Sequence, residues 1–245
     1  MKFYVRHWYS LNLIIGSVLL VLLILFWTSI EIVQKLVLVN LVALLVHQFE
    51  EYGFPGGEPM IMNYVLQGSD IPNRFPLNPF SAMFTNVFTG IVLYGLPFFF
   101  PGAVWFCLAP MLFNIGQVVV HGVMTNRKMN TFYNPGLGAV IFLHLPISIY
   151  FLWYVYSSEL IGGLDWLWAL LFTAFAAGFC VGIMTYVIFA SRKTKWAFSP
   201  TEMKRFNVRE KLEAKGITID TNPDKQAKGP IGNLQKLQKR LHLEG

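Results

Sequence analysis

Six apolar runs, each about 20 residues long, occupy most of the first 190 positions: about 10–29, 33–52, 81–100, 103–125, 135–157 and 165–190. About 20 apolar residues in a helix cross the hydrocarbon layer of a bilayer. No water reaches that layer, so every backbone N–H and C=O must find its partner within the segment, which the helix provides. The runs therefore predict an all-α fold, a polytopic transmembrane helical bundle of about six spans over 1–190, with a short basic tail over 191–245. Composition points the same way. Only 13% of the residues are charged and 55% are hydrophobic, against about 25% charged in a soluble domain.

The charges that remain indicate an orientation. Lys2 and Arg6 precede the first run, Arg74 follows the second, and Arg127 and Lys128 follow the fourth. The opposite connections carry Glu31, Glu159 and Asp165. By the positive-inside rule this places both termini in the cytoplasm, in a multi-pass protein of the inner (plasma) membrane. The tail holds 13 of the 19 Lys and Arg against 6 of the 13 acidic residues. Beside a span, such a tail points to anionic membrane lipid and not to nucleic acid. Within it, Ser199-Pro200-Thr201-Glu202 reads as a helix start that Gly216 can close. Leu234, Leu237 and Leu241 make a short apolar face beside Lys236, Lys239 and Arg240. No small-residue cleavage site follows the first run, so it reads as a retained span. Cys107 and Cys180 lie inside apolar runs and read as small hydrophobes, not as a disulfide.

Against this background a few polar residues stand out. An ionisable side chain at the centre of a span costs roughly 2.5–3.5 kcal/mol on insertion scales, so those that occur there are functional candidates. His47, Glu50 and Glu51 fall within five positions at the end of the second run, at helical spacings that bring them near one partner. Asn114, Gln117 and His121 share one face of the fourth span. Asn86 lies about a turn into the third span, Asn134 just before the fifth, and His144 on the order of 14 Å along the fifth. The orientation gathers all of them toward the cytoplasmic leaflet. Imidazole and carboxylate together suit a divalent metal, zinc first and iron second, with an open coordination position. The expected ligands are His47, Glu51 and His121, with His144 as a further candidate. Glu50 is the expected base, taking a proton from a metal-bound water whose pKa falls from 15.7 to about 7. Asn86, Asn114, Gln117 and Asn134 are expected to support the ligands or to contact the substrate. The Gly- and Pro-rich connection 53–80 contains Met60, Ile61, Met62, Val65 and Leu66 and is a candidate lid over the site.

The stretch His47-Gln48-Phe49-Glu50-Glu51-Tyr52-Gly53-Phe54-Pro55-Gly56-Gly57 resembles the HXXEE-domain membrane proteins of bacteria. His121 followed by Tyr133-Asn134-Pro135-Gly136 strengthens the resemblance, which spans about 36–190. It implies that His47, Glu50, Glu51, His121 and Asn134 belong to one site; it names no reaction. The functional expectation is a metal-dependent hydrolase or transferase acting on a lipid-like or amphiphilic substrate. A di-iron membrane oxidoreductase and a transporter or proton-relay protein are the alternatives.

Overall fold

The computed structural model describes residues 2–222 and 230–241. Six helices are long and apolar enough to cross a membrane, here called spans 1 to 6: Lys2–Leu25, Ile32–Tyr52, Pro79–Phe99, Val104–Met129, Leu137–Ser157 and Gly163–Ile188. The described residues contain helices and no strand. The chain is an all-helical, multi-pass membrane protein. Span 1 starts earlier than its apolar run. Val5, Trp8 and Tyr9 extend it by packing against Tyr52, Leu77 and Phe198, and Arg6 pairs with Glu202 at 2.7 Å.

Local sequence sets the helix ends. The Asn78 side chain accepts the backbone N–H groups of Phe80 and Ser81, and Pro79 opens span 3, satisfying donors that the first turn leaves free. The Asn78 amide also donates to the Phe189 carbonyl at the end of span 6. Four spans contain stretches of wider, π-helical turns: Gly90–Gly95, Val118–Thr125, Val140–His144 and Ala176–Ile188. His121 and His144 sit in two of these, in keeping with the frequent placement of such turns at functional sites.

The bundle turns its apolar side chains outward. Ile14, Val18, Val21, Ile24 and Leu25 of span 1 are exposed, as are Phe142, Trp153 and Leu164 on spans 5 and 6. This is the surface a helix presents to lipid tails. Inside, the half of the bundle away from both described termini is closed by an apolar cluster that includes Val37, Cys107, Leu108, Met111, Phe151 and Val155. A polar crosslink lies below it. The Asn114 amide donates to Asn40 Oδ1 at 2.8 Å and to Ser148 Oγ at 3.0 Å, and its Oδ1 accepts the Tyr94 hydroxyl at 2.7 Å. Four spans are thereby tied through one fully buried amide.

The opposite end is covered by the connection 53–80 and the tail. Glu58–Met60 and Ile61–Leu66 form two short helical turns. Gly56 and Gly57 have φ of +69° and +111°, and a Cβ on them would stand 2.6 Å from Arg205 Cδ and 2.9 Å from Phe206 Cβ. Glycine is required there by both conformation and contact. The Arg205 guanidinium donates to the Tyr52 carbonyl, holding the tail over the end of span 2. Helix Pro230–Arg240 docks through Gln238, whose amide donates to the carbonyls of Val187 and Ala190. Leu237 and Leu241 remain exposed; the Leu234 side chain lies outside the described residues.

The buried crosslink sets a measurable contribution to stability. Asn114→Ala strands the Tyr94 hydroxyl and lowers unfolding free energy in detergent micelles by about 1–2 kcal/mol, as for interhelical hydrogen bonds generally. Gln117→Ala, which breaks no such link, stays within about 0.5 kcal/mol of the parent in the same titration.

Candidate metal centre

Span 2 brings His47 and Glu51 to the same face because they are four residues apart. His121 meets them from span 4. His47 Nε2 and His121 Nε2 each lie 3.3 Å from the same atom, Glu51 Oε1. The three ligating atoms are all within 4.8 Å of one another, and all three residues are buried. The two imidazole rings stand edge to face with centroids 5.1 Å apart.

What fixes the rings is the turn ahead of span 5. His47 Nδ1 lies 3.0 Å from the Gly136 carbonyl oxygen. A carbonyl only accepts, so Nδ1 carries a proton, and in the neutral ring Nε2 then keeps a lone pair. His121 Nδ1 lies 2.8 Å from Asn134 Oδ1. The Asn134 amide nitrogen donates to the His121 carbonyl and to Asn126 Oδ1, each at 2.8 Å, which orients the amide and makes His121 Nδ1 a donor as well. Both imidazoles thus turn Nε2 toward a carboxylate oxygen. Gly136 adopts φ +95°, and a Cβ there would come within 2.7 Å of His121 Cε1 and 2.8 Å of His47 Cε1. Glycine lets the turn touch both rings at once.

With both rings neutral the three groups are all acceptors, an arrangement that a cation between them would satisfy. A charge-assisted N–H···O bond is about 2.7–2.9 Å long. Two ligand atoms about 2.0–2.1 Å from a tetrahedral metal stand about 3.3–3.4 Å apart. The observed 3.3 Å fits the second spacing.

Glu50 points elsewhere. Its Oε1 accepts the Tyr133 hydroxyl at 2.7 Å and the Gly138 N–H at 3.0 Å, and its Oε2 accepts the Ala139 N–H at 2.7 Å. The carboxylate caps the first turn of span 5, where free N–H groups and the helix dipole favour negative charge. The role of free base expected for Glu50 does not match this arrangement, since its oxygens are already engaged. Burial, and then the bond to Glu50, push the Tyr133 hydroxyl well above its ordinary pKa, so it stays a donor.

The other expected residues fall into two groups. Asn86 and Gln117 line a cavity of about 380 Å³ into which His47, Glu51 and His121 also open. Asn86 accepts from the Gln48 amide at 3.4 Å and donates to the Ala82 carbonyl. His144 packs edge to face on His47 with centroids 5.5 Å apart, outside the three-residue group. Its Nδ1 lies 3.0 Å from Asn40 Oδ1, and its buried Nε2 has no hydrogen-bond partner. Asn114 reaches His144 only through Asn40.

Several contributors escaped the reading of the sequence. Asn40 resembled an isolated polar residue in an apolar run, and its link to His144 depends on how spans 2 and 5 face each other. Gly136 had a signal, the Pro135-Gly136 pair after Asn134. Glu58 had one too, an acid between the glycines and the apolar run of the connection 53–80. It lines the cavity, buried. Residues Met62, Leu66 and Leu77 of the connection 53–80 line the cavity as well.

Residues 38–151, spans 2 to 5, match the HXXEE family, described as a protein of unknown function with HXXEE motif. The matched stretch contains His47, Glu50, Glu51, His121, Asn134 and His144. Span 1, span 6 and the tail lie outside it. No curated protein and no solved structure matches the chain.

The cap assigned to Glu50 is testable as stability. Glu50→Ala leaves two backbone N–H groups and a hydroxyl without their acceptor, and costs about 1.5–3 kcal/mol by the scale of hydrogen bonds to charged groups. Thermal unfolding in detergent reads the loss, with Glu50→Gln falling between the two.

Proposed function

We propose that His47, Glu51 and His121 bind one divalent cation, zinc first and iron second. On this reading the protein is a metal-dependent hydrolase or transferase acting on a lipid-like or amphiphilic substrate. The observation that carries the reading is the convergence of two Nε2 atoms on Glu51 Oε1 at tetrahedral-edge distance. Three protein ligands leave a fourth position open, as catalytic zinc sites do. The bound ion supplies Lewis acidity and favours loss of a proton from water at that position. The chain's own residues orient and protect the site: Asn134 and Gly136 hold both rings in one tautomer, and burial strengthens every charge interaction there.

The substrate class rests on the surroundings. The cavity has apolar walls from Leu44, Phe113 and Val181 beside its polar floor. It shares Gln48 and Asn86 with a groove of about 690 Å³ between spans 1, 2 and 3, lined by Leu19, Leu45 and Ile91. A molecule with its chain in the bilayer and its polar end near that wall suits both spaces. Among the described residues a single group of three ligating side chains meets, which favours one metal over a di-iron centre. The apolar cluster across the far half of the bundle disfavours a proton path from side to side. The basic residues flanking spans 1, 2, 4 and 6 support a site near the cytoplasmic leaflet of the inner membrane, with both termini cytoplasmic.

Elemental analysis of detergent-purified protein is the direct test. The parent chain is expected to hold about one zinc or iron, and His47→Ala, His121→Ala and Glu51→Ala to lose it, because each removes one of three ligands. Equal metal in all four proteins would sink the reading. Gly136→Ala, which displaces the supports of both rings, is expected to weaken zinc affinity roughly 10–100-fold. Its helix content by circular dichroism should stay unchanged.

A further inference from the structure

Glu58 is the one buried carboxylate facing this cavity for which the arrangement above has no use. It is only 6% exposed, and its Oε2 is sealed from solvent with no hydrogen-bond partner. Its position is built. The Gly56 N–H donates to the Glu50 carbonyl at 3.0 Å, folding the chain back over the end of span 2. The left-handed Gly57 then starts the Glu58–Met60 turn, with Pro59 in its first positions. The result sets Glu58 on the same cavity as His47, Glu51 and His121. Other ionisable groups that open on that space are Tyr52 from span 2, Tyr94 from span 3, Lys128 from span 4 and Tyr186 from span 6. Lys128 is engaged elsewhere, its Nζ donating to the Leu66 carbonyl at 2.9 Å.

A native chain leaves few buried acids unpartnered, and those beside an ionisable cluster in a cavity are functional candidates. We propose that Glu58 is the proton-transfer carboxylate of this site, the part the doubled glutamate of span 2 does not supply. The inference rests on the metal reading above. In the step, one O–H bond of a water in the cavity breaks and its electron pair stays on the oxygen. A new O–H bond forms on a Glu58 carboxylate oxygen. His47, Glu51 and His121 would hold the cation that offsets the negative charge left on the oxygen. The proton is later returned to a leaving group, so Glu58 ends as it began. Burial first, then the charge of Glu51, raise the proton affinity of Glu58 well above that of an ordinary carboxylate, with His121 opposing. A carboxylate so placed is a stronger base than one in water.

Cobalt(II) serves as the probe, loaded into full-length protein in detergent and followed by its visible absorption across a pH series. Glu58→Gln is expected to bind cobalt with the parent stoichiometry, while the midpoint of the pH-dependent spectral change moves by about 1 pH unit or more. Equal cobalt with an unmoved midpoint overturns the Glu58 role and leaves the metal reading standing. Cobalt lost only in Glu58→Gln makes Glu58 a ligand and also overturns the role. No cobalt in the parent protein overturns both readings. If Glu58→Gln does not accumulate as folded protein, the parent chain is treated with a hydrophobic carbodiimide, which adds to protonated carboxyl groups in apolar surroundings. Mass spectrometry is expected to locate the adduct on Glu58, with its formation slowed by cobalt; no adduct at Glu58 overturns the proposal.

Discussion

The imidazoles of His47 and His121 donate their Nδ1 protons to a three-residue turn, Asn134-Pro135-Gly136, and the geometry of the site depends on those two bonds. They decide the neutral tautomer, in which both inner nitrogens are bases. Without them, either ring could present an N–H to Glu51 and the three groups would form an ordinary hydrogen-bonded cluster. The turn is itself held by span 4, through the Asn134 amide and the His121 carbonyl, and by span 2, through Glu50. Spans 2, 4 and 5 are therefore locked together by the same contacts that shape the centre.

This explains why two adjacent glutamates are useful. Neighbouring residues on a helix point about 100° apart, so Glu50 and Glu51 cannot share one partner at equal reach. Glu51 shares the face of His47 and faces inward. Glu50 faces the start of span 5 and neutralises its free N–H groups. One carboxylate sits among the imidazoles while the other fixes the element that carries Gly136. Displacing Glu50 would thus move the Gly136 carbonyl, and with it the His47 ring.

The spans were legible because lipid imposes a simple rule on composition, and long apolar runs leave few alternatives. His47, Glu51, His121 and Asn134 were legible for the complementary reason, as costly polar groups near one end of such runs. The roles of the two glutamates were not. Their assignment turns on how span 5 is rotated against span 2, a tertiary fact that spacing along one helix does not contain. Asn114 was readable as a polar residue able to hold spans together, but its partners Asn40, Tyr94 and Ser148 were not, since they come from three other spans. Glu58 was hidden by its path. Its return to the cavity requires positive φ at Gly56 and Gly57, and contacts between those glycines and Arg205 and Phe206 of the tail, about 150 residues away.

The electrostatic cost of the centre also bears on how the bundle is arranged. Acceptors buried without a cation repel one another, and in a low-dielectric interior that repulsion is weakly screened. Such a cluster is stable only where the surrounding helices cannot relax away from it. The apolar cluster on one side, the Asn40–Asn114 crosslink beside His144, and the tail clamped to Tyr52 on the other supply that resistance. On the proposed metal reading, a cation between the three ligands would remove the repulsion, and its binding energy would add to the stability of the fold. Rigidity and metal affinity are then linked. A frame that holds the ligands close against their mutual repulsion is already shaped for the ion, and little ordering remains to be done when the ion arrives.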